Sequence, residues 1–334
     1  MEKILFEYNE TDRAVTDIYA DFLPKRIFDA HMHVYYQDLI PSFSNRRNFA
    51  HEMVSPKEYW ADMRHYFPGV DSFCLNMMPM PDPEFADNGK DLRVLANSYV
   101  ESLCREDSNQ VCCSFVMPED SEETIERMAD GIGVRGLKCY CYGRKSADYS
   151  CMQIEEFLPE AAWRVAERRR LPIILHLMRK GALSDDDNFA YISRMTKRYP
   201  NAQLVLAHCA SAFASWTTVN KIRALEDFGN IWFDISAICE SGAIIACFLK
   251  NAGKRTMWGS DYPVCLHRGR PIAIAGAAQW LTDQSISVQR TRVIAENLLA
   301  VYEAATLLDL DQTQIDDLFY RNATELFKNN KIME

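Results

Sequence analysis

The sequence predicts an α/β fold, a (β/α)8 TIM barrel with an N-terminal lead-in and C-terminal helices. Eight short, almost continuously apolar runs recur along the chain, each followed by a polar loop and a charged amphipathic stretch. The runs begin about 25–40 residues apart, which is the length of one strand–helix unit. A doubly wound open sheet is the alternative, but no glycine-rich phosphate loop follows the first run. These observations favour the barrel.

The apolar runs themselves are the predicted strands. Continuous apolar character, rather than alternation, is typical of parallel strands that are covered on both faces. In chain order the runs occupy residues 26–33, 70–77, 111–116, 134–140, 172–177, 203–208, 231–236 and 256–261.

The stretches between these runs predict helices at residues 91–106, 122–128, 155–169, 189–199 and 219–227. The first 25 residues predict a helical lead-in. Helices near residues 288–308 and 314–327 predict a tail that closes the barrel floor or contacts a neighbour. Since no linker or second core interrupts the pattern, we expect one domain over residues 1–334. Its barrel would span about residues 26–284 and its C-terminal helices residues 285–330.

The charge balance narrows the classes of partner. The 334 residues include 37 Lys and Arg against 47 Asp and Glu, a formal net charge of −10. Such an acidic chain has no general attraction for nucleic-acid phosphates or anionic membranes, so we expect neither as a partner. No apolar run reaches the length of a membrane-spanning helix, and the N-terminus lacks the pattern of a signal peptide. We therefore expect a cytoplasmic location.

Five residues of metal-ligand type end four of the predicted strands. His31 and His33 close the first run, His176 the fifth, His208 the sixth and Asp261 the eighth. Residues two apart in a strand point to the same face, and the carboxyl ends of barrel strands converge at one rim. Several imidazoles and one carboxylate around a point suit Zn²⁺, or Mn²⁺ and Fe²⁺ with less selectivity. The pattern predicts a divalent metal site, although a single strand-end histidine could equally be structural.

The strings FDAHMH, ILHL, LAHCA and WGSDYPV resemble the signature of the amidohydrolase superfamily. The resemblance is strongest to the amidohydrolase-2 branch, which holds metal-dependent hydrolases, lactonases and non-oxidative decarboxylases. It extends from about residue 27 to the NATELF string at residues 322–327.

The resemblance implies roles for the strand-end residues. His31, His33 and His176 would bind the metal, and Asp261 would be a further ligand or the general base. His208 would lie beside the metal and polarise the substrate carbonyl, or bind a second ion. Asp29 lies two residues before His31 in the first predicted strand, so we expect the two side chains on the same face. Asp29 could then orient a metal ligand or simply line the barrel.

Lys138 bears on the number of metal ions. It lies on the fourth predicted strand, where two-metal relatives hold a carboxylated lysine that bridges both ions. An unmodified Lys138 could instead bind a substrate carboxylate. We expect one ion rather than two, with zinc before manganese or iron.

The loops after the strands should set the choice of substrate. Tyr140 and Arg144 follow the fourth strand, Arg179 follows the fifth, and His267 follows the eighth. Cationic rim loops on an acidic protein suggest a small anionic substrate, and we expect a carboxylate because arginine binds that group through two hydrogen bonds. The alternative is that these charges are merely solvated. Fold analogy would also allow a homo-oligomer.

Together these features predict a metal-dependent hydrolase that cleaves a C–N or C–O bond of an amide, cyclic amide or lactone, with Asp261 as general base and acid. Non-oxidative decarboxylation of a small hydroxy or unsaturated acid is the alternative. Decarboxylase-like relatives often carry an HxGG string after the sixth strand, whereas residues 208–211 read HCAS here, which tilts the prediction towards hydrolysis. A barrel that only binds a ligand is a third reading, and the intact set of chemical residues opposes it.

Overall fold

A computed structural model describes residues 8–40, 51–80, 92–141, 151–226, 228–281 and 290–329. Nine strands form one curled sheet in the order β2-β1-β3-β4-β5-β6-β7-β8-β9, and a separate hairpin pairs β10 with β11. Only the β2–β1 pair of the large sheet is antiparallel. The strands are β1 Arg26–Tyr36, β2 Met53–Val54, β3 Ser72–Pro79, β4 Val111–Val116, β5 Val134–Cys139, β6 Pro172–Leu175, β7 Gln203–Leu206, β8 Ile231–Asp234, β9 Thr256–Met257, β10 Arg270–Ile274 and β11 Ala277–Leu281.

Backbone hydrogen bonds between β1 and the segment after β9 close the sheet. The Trp258 carbonyl accepts from Ala30 N–H at 3.1 Å, and the His31 carbonyl accepts from Asp261 N–H at 2.7 Å. His33 N–H donates to the Tyr262 carbonyl, also at 2.7 Å. The predicted (β/α)8 TIM barrel is therefore confirmed.

Helices pack around the strands and bury one face each. In Glu122–Ala129, for example, Ile125 and Ala129 are buried while the acidic first turn faces solvent, and the Ser121 hydroxyl caps the N-terminus. In the described part of the chain the α-helices of right-handed backbone are Glu10–Tyr19, Pro56–Met63, Leu92–Glu106, Glu122–Ala129, Glu160–Arg169, Asp186–Arg198, Trp216–Val219, Ser241–Lys250, Val293–Leu307, Gln312–Asp316 and Asn322–Thr324. Within the described ranges, none of them has the length and apolarity that crossing a bilayer requires.

All eight predicted strands are present, but the fifth to the eighth end at least two residues earlier than predicted, at Leu175, Leu206, Asp234 and Met257. His208 and Asp261, which were predicted to end the sixth and eighth strands, have φ angles of 56° and 59°. Such left-handed backbone cannot continue a strand. Both chemical side chains thus leave the sheet at the rim.

The helix predicted at residues 219–227 is wrong. A helix at Trp216–Val219 is followed by a 3-10 turn at Ile222–Ala224, and residue 227 lies outside the described residues. The helix begins earlier because the Thr218 hydroxyl donates to the Cys209 carbonyl at 2.6 Å, which anchors this segment beneath the turn after β7. The β10–β11 hairpin is an addition that the sequence analysis did not predict.

The C-terminal segment closes the amino end of the barrel, as predicted. Phe327 stacks on Phe28 with ring centroids 5.9 Å apart, and the Asn322 side-chain amide donates to the Thr256 carbonyl at 2.8 Å. Ala323, Leu326 and Phe327 join one buried cluster with inward residues of the strands. This packing leaves the opposite end of the barrel for the site.

Candidate metal centre

A cavity of about 350 Å³ opens at the carboxyl ends of the strands. Its walls combine the predicted chemical residues with an apolar and aromatic surface. The lining residues are His31, His33, Met80, Lys138, Cys139, Tyr140, Cys141, His176, Met178, His208, Phe213, Asp261, Val264 and Trp280.

A register irregularity in β1 aims His31 and His33 into this cavity. Pairing of β1 with β3 shifts between Asp29 and Met32. Phe28, before the shift, and Ala30, within it, belong to the interior cluster of the barrel, whereas His31, within the shift, and His33, after it, line the cavity. Bulges of this kind re-aim side chains next to sites.

Asp234, at the end of β8, fixes the orientation of the His31 ring. Its Oδ2 lies 2.9 Å from His31 Nδ1, and both groups are buried. An ionised carboxylate only accepts hydrogen bonds, so His31 Nδ1 carries the proton. The lone pair of His31 Nε2 then faces the cavity.

His208 is aimed by an unusual backbone. Residues His208, Cys209, Ala210 and Ser211 have φ angles of 56°, 52°, 62° and 60°, a short left-handed turn without glycine. Such conformations cost about 1–2 kcal/mol per residue. Hydrogen bonds compensate, since Asp234 Oδ1 accepts from His208 N–H at 3.1 Å.

The His208 ring is oriented in the same way as that of His31. The Ser236 carbonyl lies 3.0 Å from His208 Nδ1, and a carbonyl can only accept. His208 Nε2 is therefore unprotonated when the ring is neutral. His31, His208 and Asp261 each offer a ligand atom, and these three atoms lie within 4.8 Å of one another.

Asp261 and His33 complete a tight group of polar atoms. Asp261 Oδ1 lies 3.5 Å from His31 Nε2 and 3.3 Å from His33 Nε2. The two Nε2 atoms of His31 and His33 are 3.3 Å apart. Ligands about 2.0–2.1 Å from a tetrahedral metal ion lie about 3.3 Å from one another.

Burial and mutual charge set the protonation states. Burial lowers the pKa of His31 to about 3 and also lowers the pKa values of His33 and His176. Burial by itself would raise the pKa of Asp261, but the imidazoles of His208, His33 and His31 outweigh it and hold that pKa below its usual range. Burial thus favours the neutral imidazole in His31, His33 and His176, and Asp261 is a carboxylate near neutral pH, which are the forms that bind metals.

His176 and Lys138 share the cavity. The His176 ring lies 4.8 Å from that of His208, centroid to centroid, and is half-buried. Lys138 is buried, and burial lowers its pKa. Its Nζ lies 5.2 Å from the centroid of the Tyr140 ring.

The residues predicted to bind substrate have different surroundings. Tyr140 lines the cavity, whereas Arg144 lies outside the described residues. Arg179 pairs with Asp185 at 3.0 Å and Asp187 at 2.7 Å and does not line the cavity. His267 does not line it either, and its ring lies 6.0 Å from that of Trp280.

Asp29 is not on the cavity side. Its Oδ1 accepts from the backbone N–H of His31 at 3.1 Å and of Ser260 at 2.9 Å, so it joins the two chain segments that carry the site. Its carboxyl lies near Tyr59 of the helix Pro56–Met63, and burial raises its pKa to about 7. The expectation that Asp29 shares the face of His31 is wrong, because the shift in β1 lies between them.

Asp234 and the aromatic wall were not predicted from the sequence. Asp234 is the one charged residue within the apolar run at residues 231–236, and that signal could have found it. Phe213 lies 5.4 Å from the His208 ring and 5.9 Å from that of Trp280. Trp280 belongs to the hairpin, and no local pattern points it towards the site.

The donor set suits a divalent transition metal. His31 Nε2, His208 Nε2 and Asp261 Oδ1 are all acceptors, and mutually facing acceptors need a cation between them. Imidazole nitrogens with a carboxylate oxygen are ligands that Zn²⁺, Mn²⁺ and Fe²⁺ accept.

Comparisons with known proteins identify the family and the fold. A family model described as amidohydrolase matches residues 28–328. A 5-carboxyvanillate decarboxylase from Novosphingobium aromaticivorans, complexed with manganese and 4-hydroxy-3-methoxy-5-nitrobenzoic acid, is similar with a TM-score of 0.57 at 15% identity, covering 93% of this chain and 97% of that one. No curated protein sequence matches the chain.

Two further solved structures share the fold. An amidohydrolase from Burkholderia multivorans with bound zinc has a TM-score of 0.59 at 15% identity and covers 90% of this chain and 98% of that one. A candidate 2-pyrone-4,6-dicarboxylic acid hydrolase from Pseudomonas putida has a TM-score of 0.55 at 17% identity and covers 91% and 98%.

Proposed function

Because the chain belongs to the amidohydrolase family of enzymes, we propose that it is a metal-dependent hydrolase. It cleaves a C–N or C–O bond, in an amide, cyclic amide or lactone, of a small carboxylated molecule. One ion, zinc before manganese or iron, is held by His31, His33, His176 and Asp261, and His208 is near enough to His31 and Asp261 to be a further ligand.

One observation carries this proposal. His31 Nε2 and His208 Nε2 are both left unprotonated by their other hydrogen bonds, and both face the Asp261 carboxylate inside a buried pocket. Buried acceptors without donors are costly unless a cation binds them. A bound divalent ion would lower the pKa of a water molecule towards about 7 and polarise a carbonyl.

Asp261 is suited to the role of general base. Its pKa is below the usual range, so near neutral pH it is an acceptor at the edge of the cavity. It would take a proton from the attacking water and deliver it to the leaving nitrogen or oxygen. Because the Ser236 carbonyl accepts from His208 Nδ1, His208 Nε2 of the neutral ring is an acceptor, so it would bind a cation or take a proton rather than donate to a substrate carbonyl.

The cavity suggests a flat, singly anchored substrate. Among the described residues that line it, Lys138 is the only lysine or arginine, so we assign it to a substrate carboxylate. Phe213 and Trp280 offer ring faces on the outer wall. The acids named for two similar structures, 2-pyrone-4,6-dicarboxylic acid and 5-carboxyvanillate, are flat ring carboxylates with two carboxyl groups each.

Non-oxidative decarboxylation is the second candidate. The same buried amine beside the imidazoles could hold a carboxylated ring, and three of the similar structures are decarboxylases. Replacing CO₂ by a proton at carbon requires a proton donor, and Asp261 could supply that proton only after taking it from another group. Residues 208–211 read HCAS rather than the HxGG string of decarboxylase-like relatives, and on that ground we rank hydrolysis first.

Metal content and product analysis test the proposal. Protein purified without chelators should hold about one equivalent of transition metal, and less than about a tenth of an equivalent would contradict the metal mechanism. His31→Ala should lose the metal, while His65→Ala, an exposed histidine outside the site, should keep it.

The reaction class follows from the products of three probes: a carboxylated 2-pyrone, a carboxylated cyclic amide and a hydroxybenzoic acid. A ring-opened acid with all carbons retained supports hydrolysis. Release of CO₂ from any probe, with no ring opening, would contradict hydrolysis and show that the enzyme is a decarboxylase.

A further inference from the structure

The hydroxyl of Tyr140 bridges two strand ends at the rim of the cavity. It donates to the Pro79 carbonyl at the end of β3, with an oxygen–oxygen distance of 2.7 Å. The same oxygen lies 2.9 Å from His33 Nδ1. Phe115 packs edge-on against the Tyr140 ring, with centroids 5.1 Å apart, and holds it in this position.

These two contacts determine which nitrogen of His33 carries the proton. A tyrosine hydroxyl has one hydrogen, and a carbonyl can only accept, so that hydrogen points to Pro79. The Tyr140 oxygen must then accept from His33, which places the ring proton on Nδ1. His33 Nε2 is left with its lone pair towards His31 and Asp261.

We infer that Tyr140 is a positioning residue that selects the metal-binding tautomer of His33, an inference that rests on the proposed metal centre. Without the hydroxyl, a neutral His33 would gain most by moving its proton to Nε2, because Asp261 Oδ1 lies only 3.3 Å away and accepts it. That internal hydrogen bond competes directly with a metal ion. By holding the proton on His33 Nδ1, Tyr140 prevents the hydrogen bond from His33 Nε2 to Asp261 in the metal-free protein, as partners of metal-bound histidines commonly do.

The test uses the full-length protein, stripped with a chelator, and Zn²⁺ alone as the probe. Tyr140→Phe should weaken zinc binding, measured by competition with a fluorescent chelator, about 10- to 100-fold. Tyr199→Phe is the matched control, because its hydroxyl donates to Glu160 among the outer helices, and its affinity should be unchanged. Equal zinc affinity in Tyr140→Phe and wild type would overturn the inference.

A second measurement separates this inference from the proposed function. The chain has seven histidines, few enough to resolve in ¹⁵N spectra of histidine-labelled, metal-free protein. Wild-type His33 should have its proton on Nδ1, and Tyr140→Phe should move it to Nε2. An unchanged tautomer would contradict the role of Tyr140 even if zinc binds, whereas wild type that binds no zinc while the tautomer still switches would contradict only the metal centre.

Discussion

The two ends of the barrel are built from the same strands but hold opposite kinds of side chain. At the amino end, Phe28 packs with Phe327 in a buried apolar cluster closed by the C-terminal segment. At the carboxyl end, His31 and Asp261 lie among polar partners whose acceptor atoms face one another. The first arrangement lowers the free energy of the folded chain, whereas the second is costly until a ligand neutralises it.

The contrast shows how one strand serves both ends. In β1 the register shift between Asp29 and Met32 separates the apolar residues of the floor from the histidines of the mouth. The division of a barrel into a stability face and a chemical face is general. Here it predicts that substitutions at one end change stability and at the other change activity or binding.

The largest effect should come from Asp261→Asn. We expect activity to fall by about 10³-fold or more while metal content is retained, because the general base and proton donor are lost together. Steady-state turnover and metal analysis of the same preparation measure this. The control is Asp107→Asn, since Asp107 is an exposed residue just before β4 at the amino end of the barrel. Near wild-type turnover in Asp261→Asn would refute the role of Asp261 as general base.

Phe327→Ala should have the converse result. Removing a buried ring from the floor should lower the free energy of unfolding by about 3–5 kcal/mol, since it leaves a cavity against Phe28. Denaturant titration gives this value. At temperatures where the variant is folded, its zinc affinity should match that of wild type. A large loss of affinity would contradict the claim that the amino end affects stability but not metal binding.

Asp29→Asn tests the segment between the ends. Burial raises the Asp29 pKa from 3.8 to about 7, so between these values the folded chain keeps a proton that the unfolded chain releases. Its contribution to stability therefore declines as pH rises from about 4 to about 7. The amide does not titrate but can still accept from His31 and Ser260.

The free energy of unfolding of Asp29→Asn minus that of wild type should increase by about 2–3 kcal/mol as the pH is raised from 5 to 8. Urea unfolding in the presence of a chelator measures it, with Asp71→Asn on the surface before β3 as the control. If the free energies of unfolding of wild type and Asp29→Asn change with pH in parallel, Asp29 is ionised in the folded protein over the whole range from pH 5 to pH 8.

The smallest effect should come from Trp280→Ala in the hairpin. Loss of one ring face from the outer wall should raise KM about 3- to 10-fold with little change in kcat, because stacking contributes to binding rather than to the reaction. Trp60→Ala is a matched control, since both indoles are 41% exposed and Trp60 lies away from the cavity. An unchanged KM would remove Trp280 from the substrate wall.

The sequence alone determined the barrel and the gathering of its histidines. Strand-length apolar runs are local patterns, and a parallel barrel brings the ends of its strands together whatever the details. The positions of His31, His33, His176, His208 and Asp261 at one cavity therefore followed from where each run ends.

Only the tertiary structure decided how these groups are oriented. Asp234 meets His31 across 203 positions of sequence and Tyr140 meets His33 across 107, and no local pattern encodes such contacts. Arg179, which was predicted to meet substrate, pairs with Asp185 and Asp187, and no sequence pattern indicated these two partners. Periodicity along a chain specifies which face a side chain is on, whereas its partners depend on distant segments that only folding brings within hydrogen-bonding distance.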